Sequence, residues 1–201
     1  MIRRVYCDSI FAYFLIVLTI FFFILFFNTN RVEIKEKAIV CKEQTVIKGK
    51  VTIGSKTIIH PTATIIAENG PIVIGESNLI EECVKIINKS KETMTIGSNN
   101  VFEVGAYSES LSIGNNNILE YKCRLGPKFI LTHGCVIGTK CCLNQDETLE
   151  ERTVIFGTDC KRRRQSERPF PQTLQLDFLN KVMPNYQRIE KPNKKVIKSQ
   201  E

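Results

Sequence analysis

Histidine is scarce in this 201-residue chain: His60 and His133 are the two present. They stand 73 positions apart, too far to share a metal within one chain, and neither has a second histidine one turn away. Catalytic zinc sites draw on several converging imidazoles or carboxylates, and structural ones on closely spaced cysteine pairs. The eight cysteines contain no Cys-x-x-Cys, so zinc spacing is absent. No Ser/His/Asp order and no phosphate-cradling glycine loop occurs. The carboxylate pairs Glu81/Glu82 and Glu150/Glu151 are sequence neighbours, which in a strand point to opposite faces and do not converge on one substrate atom. An excess of one charge sign is also missing from most of the chain. Residues 31–160 carry 15 cationic and 16 anionic side chains, whereas residues 161–201 carry 11 and 4. A nucleic-acid face on the central region is therefore excluded, and the net charge of +7 belongs to the C-terminal tail.

A period of six dominates what is present. Ile113, Leu119, Leu125, Leu131, Ile137, Leu143, Leu149 and Ile155 stand six apart without a gap. Six suits neither the 3.6 of a helix nor the 2 of a long flat strand. It suits a coil with three short sides, each sending one aliphatic residue inward. The register starts near Cys41 and runs through Ile47, Ile53, Ile59 and Ile65. Insertions at Ala67–Pro71 and Asn88–Glu92 shift its phase, giving Ile74, Ile80, Ile86 and then Ile96, Phe102, with one more slip before Ile113. Such inserts map to corners and leave a stack intact.

Glycine follows the inward aliphatic at Gly54, Gly75, Gly97, Gly114, Gly126 and Gly138, where a sharp turn calls for positive φ. Asn78, Asn99, Asn100 and Asn115–Asn117 meet the same need. Small or medium residues (Thr57, Ala63, Val84, Ala106, Cys123, Cys135, Cys141, Thr153) lie two before the aliphatics and fill a cramped triangular interior. The pattern predicts an all-β fold, a left-handed parallel β-helix over residues 31–160 with six to seven coils of 18 residues. Cys123 and Cys141 stack one coil apart, as buried thiols or as a disulfide.

The two termini differ from the repeats. Ile10–Phe27 is an uncharged run of 18 residues within a hydrophobic extension spanning 1–30. As a helix it spans about 27 Å, enough to cross a bilayer, with Arg3 and Arg4 keeping the N-terminus cytoplasmic. The competing reading is a gene-model artefact or a species-specific extension. Residues 161–190 form a basic linker and a helix, and residues 191–201 a polar, disordered tail. Lys161–Arg164 is a basic run, either a nuclear-localisation or phosphate match or a charged cap over the last coil's edge. Thr173 is an N-cap for a helix over Leu174–Met183, ended by Pro184. Its stripe of Leu174, Phe178, Leu179, Val182 and Met183 is expected to lie on a flat side of the solenoid.

The combination of IIAENGPIVIGESNLIEE (Ile65–Glu82), IGSNNVFEVGAYS (Ile96–Ser108) and ERPFPQTLQLDFLNKVMPNY (Glu167–Tyr186) resembles the dynactin subunit 6 family, a hexapeptide-repeat β-helix family. The resemblance spans about Val32 to Ile189; Ile10–Phe27 has no counterpart in it. It implies a cytoplasmic, cytoskeletal protein of the dynactin pointed-end complex, without enzymatic activity, catalytic residues, metal or cofactor. The partners it implies are dynactin subunit 5, the pointed-end actin-related protein and dynactin subunit 4, with dynein and cargo adaptors reached indirectly in microtubule-based transport. No nucleic acid is expected, and membrane contact follows only if residues 10–27 are a genuine span. Lys161, Arg162, Arg163, Arg164 and Arg168 are the candidate partner-contact residues. The alternative is a hexapeptide-repeat acyltransferase, with His60 or His133 as base, or a gamma-class carbonic anhydrase.

Overall fold

A computed structural model describes residues 31–186 and 188–190; the hydrophobic run Ile10–Phe27 and the tail from residue 191 lie outside the described residues. Between Val32 and Phe156 the chain winds into a three-sided parallel β-solenoid of about seven turns. Sheet I has seven strands, from Val32–Ile34 to Glu147–Leu149. Sheet II has nine, the longest stack. Sheet III has six, from Val46–Lys48 to Cys142–Leu143. The coils begin with Val32–Ile34, which pairs with Val51–Ile53, earlier than the expected start near Cys41.

The period of six is the side length. Ile53, Ile74, Ile96, Ile113, Leu131 and Leu149 stack on sheet I, and Ile59, Ile80, Phe102, Leu119, Ile137 and Ile155 on sheet II. All are buried. In the first coil Val40, not the expected Cys41, is the inward residue, seven before Ile47; from Ile47 onward every irregularity falls at one corner, where sheet III hands over to sheet I. Its steps Ile47–Ile53, Ile65–Ile74, Ile86–Ile96, Ser108–Ile113, Leu125–Leu131 and Leu143–Leu149 are six, nine, ten, five, six and six residues. Ser108 fills the inward position between Ile86 and Leu125, which is why the pattern is interrupted there. The two inserts meet each other: Asn69 Nδ2 donates to Lys89 O at 2.7 Å, and Asn88 Nδ2 donates to Glu92 O at 2.8 Å and Pro71 O at 3.0 Å.

The glycine expectation is corrected. Gly54, Gly75, Gly97, Gly114, Gly126 and Gly138 do not have positive φ; what they require is space. A Cβ on Gly54 would sit 2.2 Å from Gly75 O, in the backbone of the next coil. After all of them but Gly126 the left-handed residue stands two positions further on and is not glycine, at Lys56, Ser77, Asn99, Asn116 and Lys140. Asn78, Asn100 and Asn117 do different work from that expected. They lie buried in one corner column and tie successive coils together. Asn100 N–H donates to Asn78 Oδ1 at 2.9 Å, Asn117 N–H to Asn100 Oδ1 at 2.9 Å, and Cys135 N–H to Asn117 Oδ1 at 2.8 Å. Thr57 starts the column: its Oγ1 accepts from Asn78 N–H at 3.2 Å and donates to Gly75 O at 2.8 Å. Buried amides paired in this way fix the coil spacing, and breaking one leaves an unsatisfied polar group in the core.

Sheet II alone has an unbroken row of aliphatic residues along its outer face: Ile39, Ile58, Leu79, Val101, Ile118, Val136 and Val154, whereas sheet I has only Val73 and Ile130 among polar neighbours. The equivalent positions on sheet I include Glu33, Thr52, Thr95 and Thr148, and on sheet III Lys85 and Arg124. A second apolar face must be covered. The helix Thr173–Tyr186 covers it, burying Leu176 and Met183 with Leu179 against Ile39, Cys41, Ile58, Leu79 and Val101. This corrects two expectations. The helix runs through Pro184 rather than ending before it. The docking stripe is Leu176, Leu179 and Met183, while Leu174 and Phe178 sit about half a turn away and are 86% and 61% exposed.

The segments flanking the helix close both ends of sheet II. Lys161–Arg164 adds an antiparallel strand to Thr153–Phe156, and Ile189–Glu190 adds one to Ile39–Cys41. Among the described residues, no such strand is added to the C-terminal ends of sheets I and III.

Candidate docking sites

The two histidines do not form a reaction centre. His133 is exposed, and its Nδ1 accepts the backbone N–H of Asn115 at 2.9 Å, which fixes the ring proton on Nε2. His60 Nδ1 lies 2.8 Å from Glu82 Oε1, and its Nε2 is buried without a hydrogen-bond partner among the described residues. The neighbouring Glu81 turns away: its Oε2 accepts Val104 N–H at 3.1 Å. Glu103 and Glu120 repeat that contact one coil at a time, accepting Tyr121 N–H and Thr139 N–H. This corner of glutamates therefore holds backbone donors. Burial, with Glu103 and Glu82 nearby, pushes the Glu81 carboxyl above the ordinary carboxylate range. Among the described residues, no group of three or more His, Cys, Asp or Glu side chains could hold a metal.

The small column residues are interior fillers. Cys123, Cys135 and Cys141 are buried free thiols, as is Cys41. Burial pushes Cys41 and Cys141 up to about 11 and raises Cys123 and Cys135 as well, so these thiols are poor nucleophiles.

Arg162, Arg163 and Arg164 lie on the antiparallel strand at the C-terminal end. Arg162 stands opposite the inward Ile155 and Arg164 opposite the inward Thr153, so both lean over the solenoid's mouth. Arg162 forms a bidentate pair with Glu147, one arm at 2.7 Å, which lowers the Glu147 carboxyl pKa and raises that of Arg162. Lys161 and Arg163 face outward, with the Arg163 guanidinium 5.9 Å from the centre of the Phe156 ring. Arg168 packs beside Gly134, on the same end. Of the readings open for the basic run, the geometry realises the cap over the last coil's edge. The aliphatic outer face of sheet II was the signal that sequence reasoning missed; it could have been found in the pairs Ile58-Ile59, Leu79-Ile80, Val101-Phe102 and Val136-Ile137.

A search with protein-family models gives no match. A dynactin subunit 6 from Nematostella vectensis is 51% identical over 176 residues, covering 82% of this chain and 95% of the relative. A dynactin subunit 6 from Xenopus tropicalis is 51% identical over 178 residues, covering 83% and 88%. The chain belongs to the dynactin subunit 6 family. Among solved structures, a hexapeptide transferase family protein from Anaplasma phagocytophilum superposes with a TM-score of 0.58, covering 77% of this chain and 88% of that one. At 15% identity that likeness shows the fold alone.

Proposed function

We propose that this chain is a non-catalytic structural subunit of dynactin, placed in the pointed-end complex with dynactin subunit 5, dynactin subunit 4 and the pointed-end actin-related protein. The observation that carries the reading is half-identity to dynactin subunit 6 over nearly the whole length of the Nematostella relative. The geometry supports it. A quasi-one-dimensional stack presents flat faces and open ends, which suit docking. The imidazoles are occupied by Asn115 N–H and Glu82, so an acyltransferase reading has no free base at His133 Nδ1. In this role the chain sits in the cytoplasm on the cytoskeleton and supports dynein-driven transport and cargo-adaptor binding through its neighbours. Lys161, Arg162, Arg163, Arg164 and Arg168 form a partner-contact surface.

Isolation of the native protein with its partners tests this. Stoichiometric recovery with actin-related protein and the other pointed-end subunits is expected. Recovery without any dynactin subunit contradicts the proposal. Acyl transfer to a small amine or hydroxyl by the purified chain contradicts its non-catalytic part.

A further inference from the structure

The C-terminal mouth combines two features that structural capping of the core does not need together. The first is an unpaired strand edge. Glu147–Leu149 is the last strand of sheet I, and among the described residues no strand pairs beyond it at the level where Lys161–Arg164 completes sheet II. A groove of about 370 Å³ lies between them, lined by Thr148, Leu149, Glu150, Thr153, Arg163 and Arg164, with the Glu147–Arg162 pair alongside. The second is uncompensated positive charge. Lys161–Arg168 holds five cations against one carboxylate. Arg162 is neutralised by Glu147, but Lys161, Arg164 and Arg168 have no carboxylate partner among the described residues. Natural sheets blunt exposed edges with charge, and a run of one sign selects what can pair there.

We propose that this mouth takes an extended acidic segment of a partner protein as an added strand on the free edge of Glu147–Leu149. Backbone pairing supplies the affinity and the alternate side chains the selectivity, as in strand addition generally. Carboxylates on the segment's inner side meet Arg164, and the excess positive charge of Lys161–Arg168 adds longer-range attraction. A protein strand fits better than nucleic acid, because the edge of Glu147–Leu149 offers backbone N–H and C=O groups in strand register, which a peptide backbone can pair and a phosphate backbone cannot. The site does not depend on membership of dynactin, since it is built by one chain.

The test uses the full chain and an acetylated, amidated hexapeptide of alternating Glu and Val, followed by calorimetry and by hydrogen exchange. Saturable binding is expected, with new protection of the amides of 147–149. Arg164→Glu combined with Arg168→Glu should weaken it tenfold or more, as should raising salt from 0.05 to 0.5 M. Both residues are exposed, and an unchanged circular dichroism spectrum confirms that the variant is folded. The equivalent Lys/Val peptide should not bind. Absence of binding, equal binding by the variant, protection elsewhere than 147–149, or tighter binding of a uridine dodecamer each overturns the proposal.

Discussion

The two ends of the solenoid are finished in opposite ways. At the N-terminal end the inward residues Ile34, Val40 and Ile47 line a mouth of about 380 Å³, with Lys42 and Glu190 at its margin. At the C-terminal end the column that runs Val51, Ile72 and Met94 on sheet I, and reaches Phe129 one coil before the end, terminates in Glu147, which Arg162 closes with an ion pair. One end presents hydrocarbon and the other a salt bridge. Stacked repeats need terminal units with a polar outer surface, because the last layer has no neighbour to bury it. The C-terminal end supplies that surface from its own chain. The N-terminal mouth is lined by hydrocarbon instead, with Ile34 and Val40 buried and Ile47 half-buried. Sheet II differs from both: it is closed at either end by an antiparallel strand, and over Ile39 to Ile118 of its outer face by the helix.

Substitutions can break or sharpen this contrast. The largest effect is expected midway between the ends. Leu131 is buried in the dry core, and Leu131→Asp places a charge there with no partner, costing about 4 kcal/mol or more. Thermal melting should show loss of the cooperative transition, and an unchanged midpoint would refute the inward register. Next is Asn100→Ala, which strands Asn117 N–H inside the corner ladder. About 2–3 kcal/mol should be lost in urea unfolding. Truncating the two end layers should then separate them. Leu149→Ala, beneath the lid, should cost about 3 kcal/mol, and Ile34→Ala, at the open mouth, about 2 kcal/mol, because a partly wetted site leaves a smaller void. Equal costs would mean the mouths are equally closed.

The smallest effect belongs to the lid itself. The Glu147 pKa is lowered in the fold, first by its hydrogen bond to Arg162. Its contribution is thus present above the ordinary carboxylate value of 4.5 and is lost as pH falls through the lower, folded-state pKa. Arg162 is 43% exposed, so solvent screening limits the pair to about 0.5 kcal/mol. Glu147→Gln should lower stability by that amount at pH 7 and remove the corresponding part of the acid sensitivity, as measured by denaturant titration at pH 7 and pH 3.

Much of this architecture was legible in the sequence. The aliphatic period of six located the inward layers because each side of the triangle has one inward centre, from Ile53 to Ile155. The small residues at Ala63, Val84, Ala106 and Cys123 were legible for the same reason. What the pattern hid was two-residue information. Gly54 and Asn100 are turn-forming types, yet one is needed for backbone clearance and the other for a buried ladder, which residue type alone does not separate. The helix stripe was misjudged because Leu174 and Phe178 are as apolar as Leu176 and Leu179. Which of them docks depends on the outer face of sheet II. The cap over the last coil was foreseen for Lys161–Arg164, whereas the strand Ile189–Glu190 at the opposite end is too short and too polar to announce itself.

Hydrogen exchange on the isolated chain tests the central contrast most directly. Thr153–Phe156 is paired on both sides, by Val136–Ile137 and by Lys161–Arg164, whereas Glu147–Leu149 pairs with Phe129–Leu131 alone among the described residues. The account predicts amides of 153–156 protected at least tenfold more strongly than those of 147–149. Equal protection would contradict the closing of sheet II by the C-terminal segment.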